Sequence, residues 1–240
     1  MYYMLRWVVE GVWKEIDDSM KHDSPGVREI VLVMGMTGWG KSWWTKVYSQ
    51  QFLRRLVYDP SATFPVQEYK PIAEITQDIL DEQRESNQYN FGFTEPDDIP
   101  QAAGALFVLG GNLLIVEECA TVFEKGLARL PEWGKRHVFY GRHQSCSIVL
   151  IAQRPTYMPI DFRSQANRVV SFCQHEGADM DWMKDFYGKE RMDRLLTLPK
   201  FSCFDYHDGV VYEYSIVDKV RQEFGITLDK RIESEYPTFI

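Results

Sequence analysis

A chain of 240 residues with 45% hydrophobic, 26% charged and 14% aromatic residues can bury one large core, and this composition excludes disordered, collagenous and low-complexity classes. Its longest apolar run, 105–116, is broken by Gly110, Gly111 and Asn112 and is too short to span a bilayer, and the N-terminus lacks the apolar core and cleavage site of a secretion signal, so the expectation is a protein kept inside a cell. The net charge of −8, from 27 Lys+Arg against 35 Asp+Glu, argues against a general basic coat, yet it conceals ten acids against two bases over 57–100 and six bases against one acid over 125–154.

In chain order, Leu5, Val8, Val12, Trp13, Ile16 and Met20 recur at helical spacing until Asp23-Ser24-Pro25-Gly26, so 1–26 reads as an amphipathic helix and turn. That helix needs a surface to lie on, either the domain's own sheet edge or a partner. Residues 30–34 form a continuous apolar run, the pattern of a strand buried on both faces, and a glycine-rich loop and a helix over 42–55 follow it. A strand at 56–60, a helix around 72–84, a strand at 89–93, a helix over 101–109 and a buried strand at 113–116 come next. Pro131 suits the first turn of a helix running to about residue 143. Strands at 148–152 and 168–173 precede a hairpin, 201–206 with 210–216, turning at His207-Asp208-Gly209. Alternating strands and helices predict an α/β fold, a mainly parallel sheet with helices on both faces and a C-terminal β-hairpin. The expected divisions are the N-terminal helix (1–26), one domain (27–217) and a C-terminal extension (218–240). Cys119, Cys146, Cys173 and Cys203 form no C-x-x-C pair and the five histidines show no helical metal spacing, so buried thiols and no structural metal are expected.

The strongest chemical signal is Gly35-Met36-Thr37-Gly38-Trp39-Gly40-Lys41-Ser42, a complete G-x-x-x-x-G-K-S between a buried strand and a helix. There the loop amides and the helix N-terminus converge on phosphate oxygens, Lys41 reaches the β- and γ-phosphates, and Ser42 ligates Mg²⁺. The nucleotide-binding set is Gly35, Thr37, Gly38, Trp39, Gly40, Lys41, Ser42 and Trp43. Aromatic crowding by Trp39, Trp43 and Trp44 points first to packing of the helix on the sheet.

Leu113-Leu114-Ile115-Val116 ends in Glu117-Glu118. The first acid at such a strand end holds Mg²⁺ and an adjoining Glu orients the attacking water, so Glu117 is a metal ligand and Glu118 a catalytic base. Adjacent residues of a strand point to opposite faces, so the two acids need a local turn to serve one site. Gln153, closing the apolar strand before Arg154-Pro155, suits a residue that senses the γ-phosphate.

The succession GMTGWGKS, LLIVEE, GRH and IVLIAQRP resembles the FtsK/HerA superfamily of ring-forming, DNA-pumping P-loop ATPases (RecA-like folds). Within it the chain is similar to the small genome-packaging ATPases of double jelly-roll viruses with an internal membrane, such as tectiviruses and turreted archaeal viruses, over about residues 29–216. The resemblance implies an ATPase, with ATP and Mg²⁺ as cofactors, that assembles with itself into a hexameric or pentameric ring and threads double-stranded DNA through the centre. It further implies partners at the packaging vertex, capsid or membrane of a virion, a location in the host cytoplasm or at that vertex, and an arginine supplied by a neighbouring subunit. Arg142, in Gly141-Arg142-His143, is the first candidate, with Arg136 and Arg154 as alternatives. The bases from 125 to 143 would then line a channel for DNA. Glu117 stands where the superfamily more often has Asp. An assembly ATPase of filamentous-phage type, a non-translocating nucleotide switch and a small-molecule kinase are the competing readings; the first usually carries a membrane helix, the second needs no Glu118, and the third needs an arginine-rich lid.

Overall fold

Strand β1 (Ile30–Met34) has no polar residue and all five of its side chains are buried, which only the interior of a doubly covered sheet permits. The computed structural model describes residues 28–82, 88–109, 113–123, 130–175 and 177–218; the helix expected over 1–26 and, but for Asp218, the extension expected over 218–240 lie outside them. Helix α1 (Lys41–Ser49) leads to β2 (Arg54–Tyr58), a two-residue β3 (Glu68–Tyr69), α2 (Ile72–Glu82), β4 (Tyr89–Phe93), α3 (Ile99–Leu109) and β5 (Leu113–Val116). A short α4 (Glu132–Lys135) precedes β6 (Ser147–Ala152), α5 (Ile160–Gln165), β7 (Arg168–Ser171), α6 (Gly177–Tyr187), α7 (Met192–Leu196) and the hairpin β8 (Ser202–His207) and β9 (Val210–Ser215).

These strands form a nine-stranded sheet in the order β3-β4-β2-β5-β6-β1-β7-β8-β9. Strands β1 to β7 are parallel, and β8 and β9 return antiparallel at one edge. Ile30, Leu32 and Met34 of β1 face one apolar layer with Ala102, Leu106, Phe162 and Met183 from α3, α5 and α6. Val31 and Val33 face the other, with Trp44 and Tyr48 of α1. Period-two alternation thus divides one apolar strand between two cores, and each large side chain so buried contributes on the order of 2 kcal/mol.

Helix α1 ends six residues earlier than the expected 55, because Arg54 and Arg55 pair with Tyr89 and Asn90 of β4. The buried Arg55 guanidinium donates to the Ser49 carbonyl at 3.3 Å, satisfying a helix-end acceptor that would otherwise be orphaned. Pro131 is the N-cap of α4, whose path continues through a wider π-type turn (Arg136–Tyr140) and a 3₁₀ turn (Gly141–Gln144). The helical course to about residue 143 is therefore present but in three geometries. Arg28 donates to the carbonyls of His137 and Val138 in that wider turn. Helices α5, α6 and α7 and strand β3 are not among the predicted elements; α5, α7 and β3 are too short to show a period, and only Met180, Met183 and Tyr187 of α6 are buried apolar residues. All four cysteines are buried and free. Among the described residues no helix is long and apolar enough to cross a membrane.

Candidate active site

The loop between β1 and α1 is built by backbone freedom. Gly35 has φ 144° and its Cβ position would lie 2.5 Å from Phe172 Cβ; Gly40 has φ 110° and would meet Phe201 at 2.9 Å. No side chain caps α1, so its first amides face the loop, the arrangement that receives an anion. Lys41 lies folded over this cradle, donating to the carbonyls of Gly35 at 2.8 Å and Met36 at 3.1 Å. Burial lowers its pKa from the ordinary lysine value, against the pull of Glu117 and Glu118. Trp44 packs into the sheet, its indole donating to the Tyr214 hydroxyl at 2.8 Å, while Trp43 meets Phe201 edge-on at 5.6 Å.

Strand β5 delivers Glu117 to the same edge. The Ser42 hydroxyl donates to Glu117 Oε1 at 2.5 Å, and among the described residues Glu117 Oε2 is buried without a partner. Burial raises the Glu117 pKa, opposed by the Ser42 hydroxyl. A hydroxyl and an orphaned carboxylate oxygen beside a phosphate cradle are hard oxygen donors, and Mg²⁺, which takes one or two such ligands and otherwise keeps water and phosphate oxygens, fits them. Glu118 adopts the left-handed conformation, φ 59° and ψ 68°. That is the local turn the two adjacent acids require, and for a non-glycine residue it is strained.

Between β5 and β1 lies β6, so its last residue is followed by Gln153 midway between the carboxylates and the phosphate loop. Neighbouring strands are about 4.8 Å apart, which spaces the three strand ends across roughly the width of a phosphoryl group and its attacking water. Gln153 is exposed there, and its main-chain carbonyl accepts from Gln174 Nε2 at 2.7 Å.

Among solved structures, the genome packaging NTPase B204 of Sulfolobus turreted icosahedral virus 2 in complex with ATP-gammaS superposes with a TM-score of 0.63 at 16% identity, covering 78% of this chain and 97% of that one. The DNA-packaging ATPase B204 of Sulfolobus Turreted Icosahedral Virus gives 0.61 at 15% identity over 80% and 98%. The pCW3 conjugation coupling protein TcpA in monomer form with ATPgS gives 0.50 at 12% identity over 82% and 65%. No family model and no curated protein matches the chain. The chain has a P-loop NTPase fold. At these identities the likeness is one of fold.

In that fold Arg142 lies in the turn that enters β6, with the Gly141 carbonyl accepting from Cys146 N at 3.0 Å. The six residues of β6 separate it from Gln153 by roughly 20 Å at 3.3 Å per residue, so Arg142 does not reach its own phosphate loop. Arg154 is on the phosphate edge, its Nε donating to the buried Asp179 at 2.8 Å. Arg136 is exposed, 3.7 Å from Glu132. Two residues near the site were not singled out in the sequence. Lys46, one helical turn beyond Ser42, donates to the Thr63 carbonyl at 3.1 Å; its i+4 spacing from Ser42 is a signal the sequence carries. Asp59, following β2, is fully buried and accepts from the amides of Ser61, Thr63 and Phe64, shaping the loop beside Lys46. Its burial alone would raise its pKa, but those amides hold it below the ordinary value.

Proposed function

We propose that this chain is an ATP-hydrolysing DNA translocase that packages a double-stranded viral genome into a preformed capsid, working as a ring oligomer at the packaging vertex of a virion. The observation that carries the hydrolytic part is the convergence of Lys41, Ser42, Glu117, Glu118 and Gln153 on one edge of the sheet, from three separate strand ends. Loop amides and Lys41 hold the phosphates. Ser42 and Glu117 would hold Mg²⁺, which neutralises charge on the phosphate oxygens. Glu118 accepts a proton from the attacking water as the bond between the γ-phosphorus and the β,γ-bridging oxygen breaks, giving ADP and phosphate. Gln153 orients that water and registers the γ-phosphate.

What supports a shared site is the polarity of the sheet. Acids outnumber bases at the ends where the parallel strands finish, with Asp59, Glu95, Asp97, Asp98, Glu117 and Glu118 against Lys41, Lys46, Lys70 and Arg154. Bases outnumber acids where they start, with Arg28, Arg54, Arg136 and Arg142 against Glu29 and Glu132. Opposite charges on opposite ends favour head-to-tail contacts, which close into rings, and Arg142 of the partner subunit would then stabilise the transferring phosphoryl group. The DNA-packaging and conjugation-coupling roles of the structural neighbours support DNA as the cargo. The test is steady-state ATP hydrolysis at low salt, with and without long double-stranded DNA, over a range of protein concentrations. Turnover per chain that rises with concentration and again with DNA is expected; hydrolysis indifferent to both would overturn the translocase reading.

A further inference from the structure

Strands β6 and β7 flank β1 on opposite sides, so their ends are two strand spacings apart, about 10 Å. One side chain bridges that distance. Gln174, just beyond β7 and 3% exposed, extends past the end of β1 and donates its amide to the main-chain carbonyl of Gln153 at 2.7 Å. The preceding carbonyl, Cys173, accepts from the amide of Met36 in the phosphate loop at 3.2 Å, and Phe172 N donates to Met34 at 2.8 Å. The segment 172–174 is therefore bonded on one side to β1 and its phosphate loop, and on the other to the residue that follows the neighbouring strand β6.

We infer that Gln174 is a positioning residue for ATP hydrolysis: its amide fixes the Gln153 peptide plane relative to the phosphate loop and so aims the Gln153 side chain. The inference rests on the hydrolase reading above and on Gln153 as its γ-phosphate sensor. The physical ground is that Ala152 makes the last ladder pairing of β6, with Met34. Beyond it no ladder pairing holds Gln153, and rotation about the backbone torsions that flank its Cα would swing an exposed side chain through several ångströms. A buried donor on a carbonyl is the simplest constraint against such rotation, and a near-attack geometry is sensitive to displacements of this size. Arg154, the next residue, is held by Asp179 at 2.8 Å, so the chain is anchored on both sides of the Gln153 side chain.

The experiment compares wild type with Gln174→Ala, Gln174→Glu, Gln153→Ala and Lys41→Ala, measuring kcat and KM for ATP together with thermal stability. Gln174→Ala is expected to lower kcat about tenfold while KM changes by less than about twofold, the signature of a group that matters in the transition state and not in binding. Gln174→Glu supplies a readout that a packing role does not move. A neutral carboxyl can donate to the Gln153 carbonyl, whereas a carboxylate repels it, and burial shifts the ionisation of such a group upward. The kcat of Gln174→Glu relative to wild type is therefore expected to fall by about tenfold between about pH 6 and about pH 8.5. His175, Arg154 and Asp179, the neighbouring titratable groups, are present in both proteins and cancel in the ratio. If Gln174→Ala fails to fold, this pH-dependent ratio carries the test alone. A kcat for Gln174→Ala within twofold of wild type, or a Gln174→Glu ratio that does not change with pH, overturns the inference. Should those results appear while Gln153→Ala and Lys41→Ala both lose turnover, the hydrolase reading stands without it. Turnover unaffected by Lys41→Ala overturns the hydrolase reading and the inference with it.

Discussion

Glu118 combines a strained backbone with the role of base in the proposed hydrolysis. Its left-handed backbone costs about 1–2 kcal/mol for a residue with a Cβ, and a glycine at that position adopts the conformation without strain. Glu118→Gly is therefore expected to keep or slightly raise the urea midpoint of unfolding while removing hydrolysis, whereas Glu118→Gln keeps the shape and the ATP affinity but loses at least about 100-fold in kcat. Lys41→Ala is expected to weaken nucleotide binding as well as turnover, since its ammonium sits on the cradle itself. Measured by nucleotide titration and steady-state kinetics, equal turnover by Glu118→Gln and wild type would remove Glu118 from the chemistry. The eight-residue phosphate loop and the Glu117-Glu118 pair were legible because a short contiguous stretch contains all their parts. Gln174 was not, because its partner Gln153 lies in another segment; Lys46 carried only its spacing from Ser42, and the loop that Asp59 organises with nearby amides is brought beside Lys46 by the fold and by nothing local.

At the scale of elements, the hairpin β8–β9 shows how a charged pair fixes a strand. Arg168 of β7 donates through Nε and Nη2 to Asp205 of β8 at 3.0 and 2.7 Å, Asp205 is fully buried, and Tyr214 of β9 donates to the same carboxylate at 2.7 Å. Burial by itself would raise the Asp205 pKa, but the Arg168 guanidinium outweighs it and holds the carboxyl below the ordinary value. A carboxyl with a depressed folded-state pKa stabilises the protein above its unfolded pKa, near 3.9, and that contribution disappears as pH falls through the folded value. Asp205→Asn removes the nearer counter-charge of the buried guanidinium, leaving it Glu29 at 4.0 Å, and is expected to cost about 3 kcal/mol at pH 7. Denaturation at neutral pH and at about pH 3 checks this, since the gap between variant and wild type should narrow in acid. The hairpin itself was readable from the sequence, and Asp208 and Gly209, with φ 52° and 76°, form the turn type that two-residue hairpins favour. The end of α1 was not, because Arg54 and Arg55 are good helix formers until β4 offers them a ladder.

For the whole molecule, the separation of acidic and basic sheet ends carries the expectation of a ring. Arg142→Ala chains mixed with Glu118→Gln chains should recover turnover, because some interfaces then pair an intact Arg142 with an intact Glu118; no recovery on mixing would overturn an arginine supplied in trans. Binding of double-stranded DNA should not depend on sequence and should weaken by at least about tenfold between 50 and 200 mM salt, as phosphate contacts do. Affinity unchanged by salt would exclude a basic channel built around Lys135, Arg136, Arg142 and His143, all exposed.

The sequence by itself determined the α/β class, the buried parallel strands and the phosphate loop with its two carboxylates, since hydrophobic periodicity and a contiguous loop are local properties of the chain. Only the tertiary structure decided the strand order, because parallel strands are joined by crossovers that allow many orders. That order inserts β6 between β1 and β5 and thereby sets Gln153 between the phosphate cradle and Glu118. It also carries Arg142 to the far end of the same strand, away from its own site, and lets Gln174 reach over β1. These placements depend on contacts between residues far apart along the chain, which no local pattern encodes.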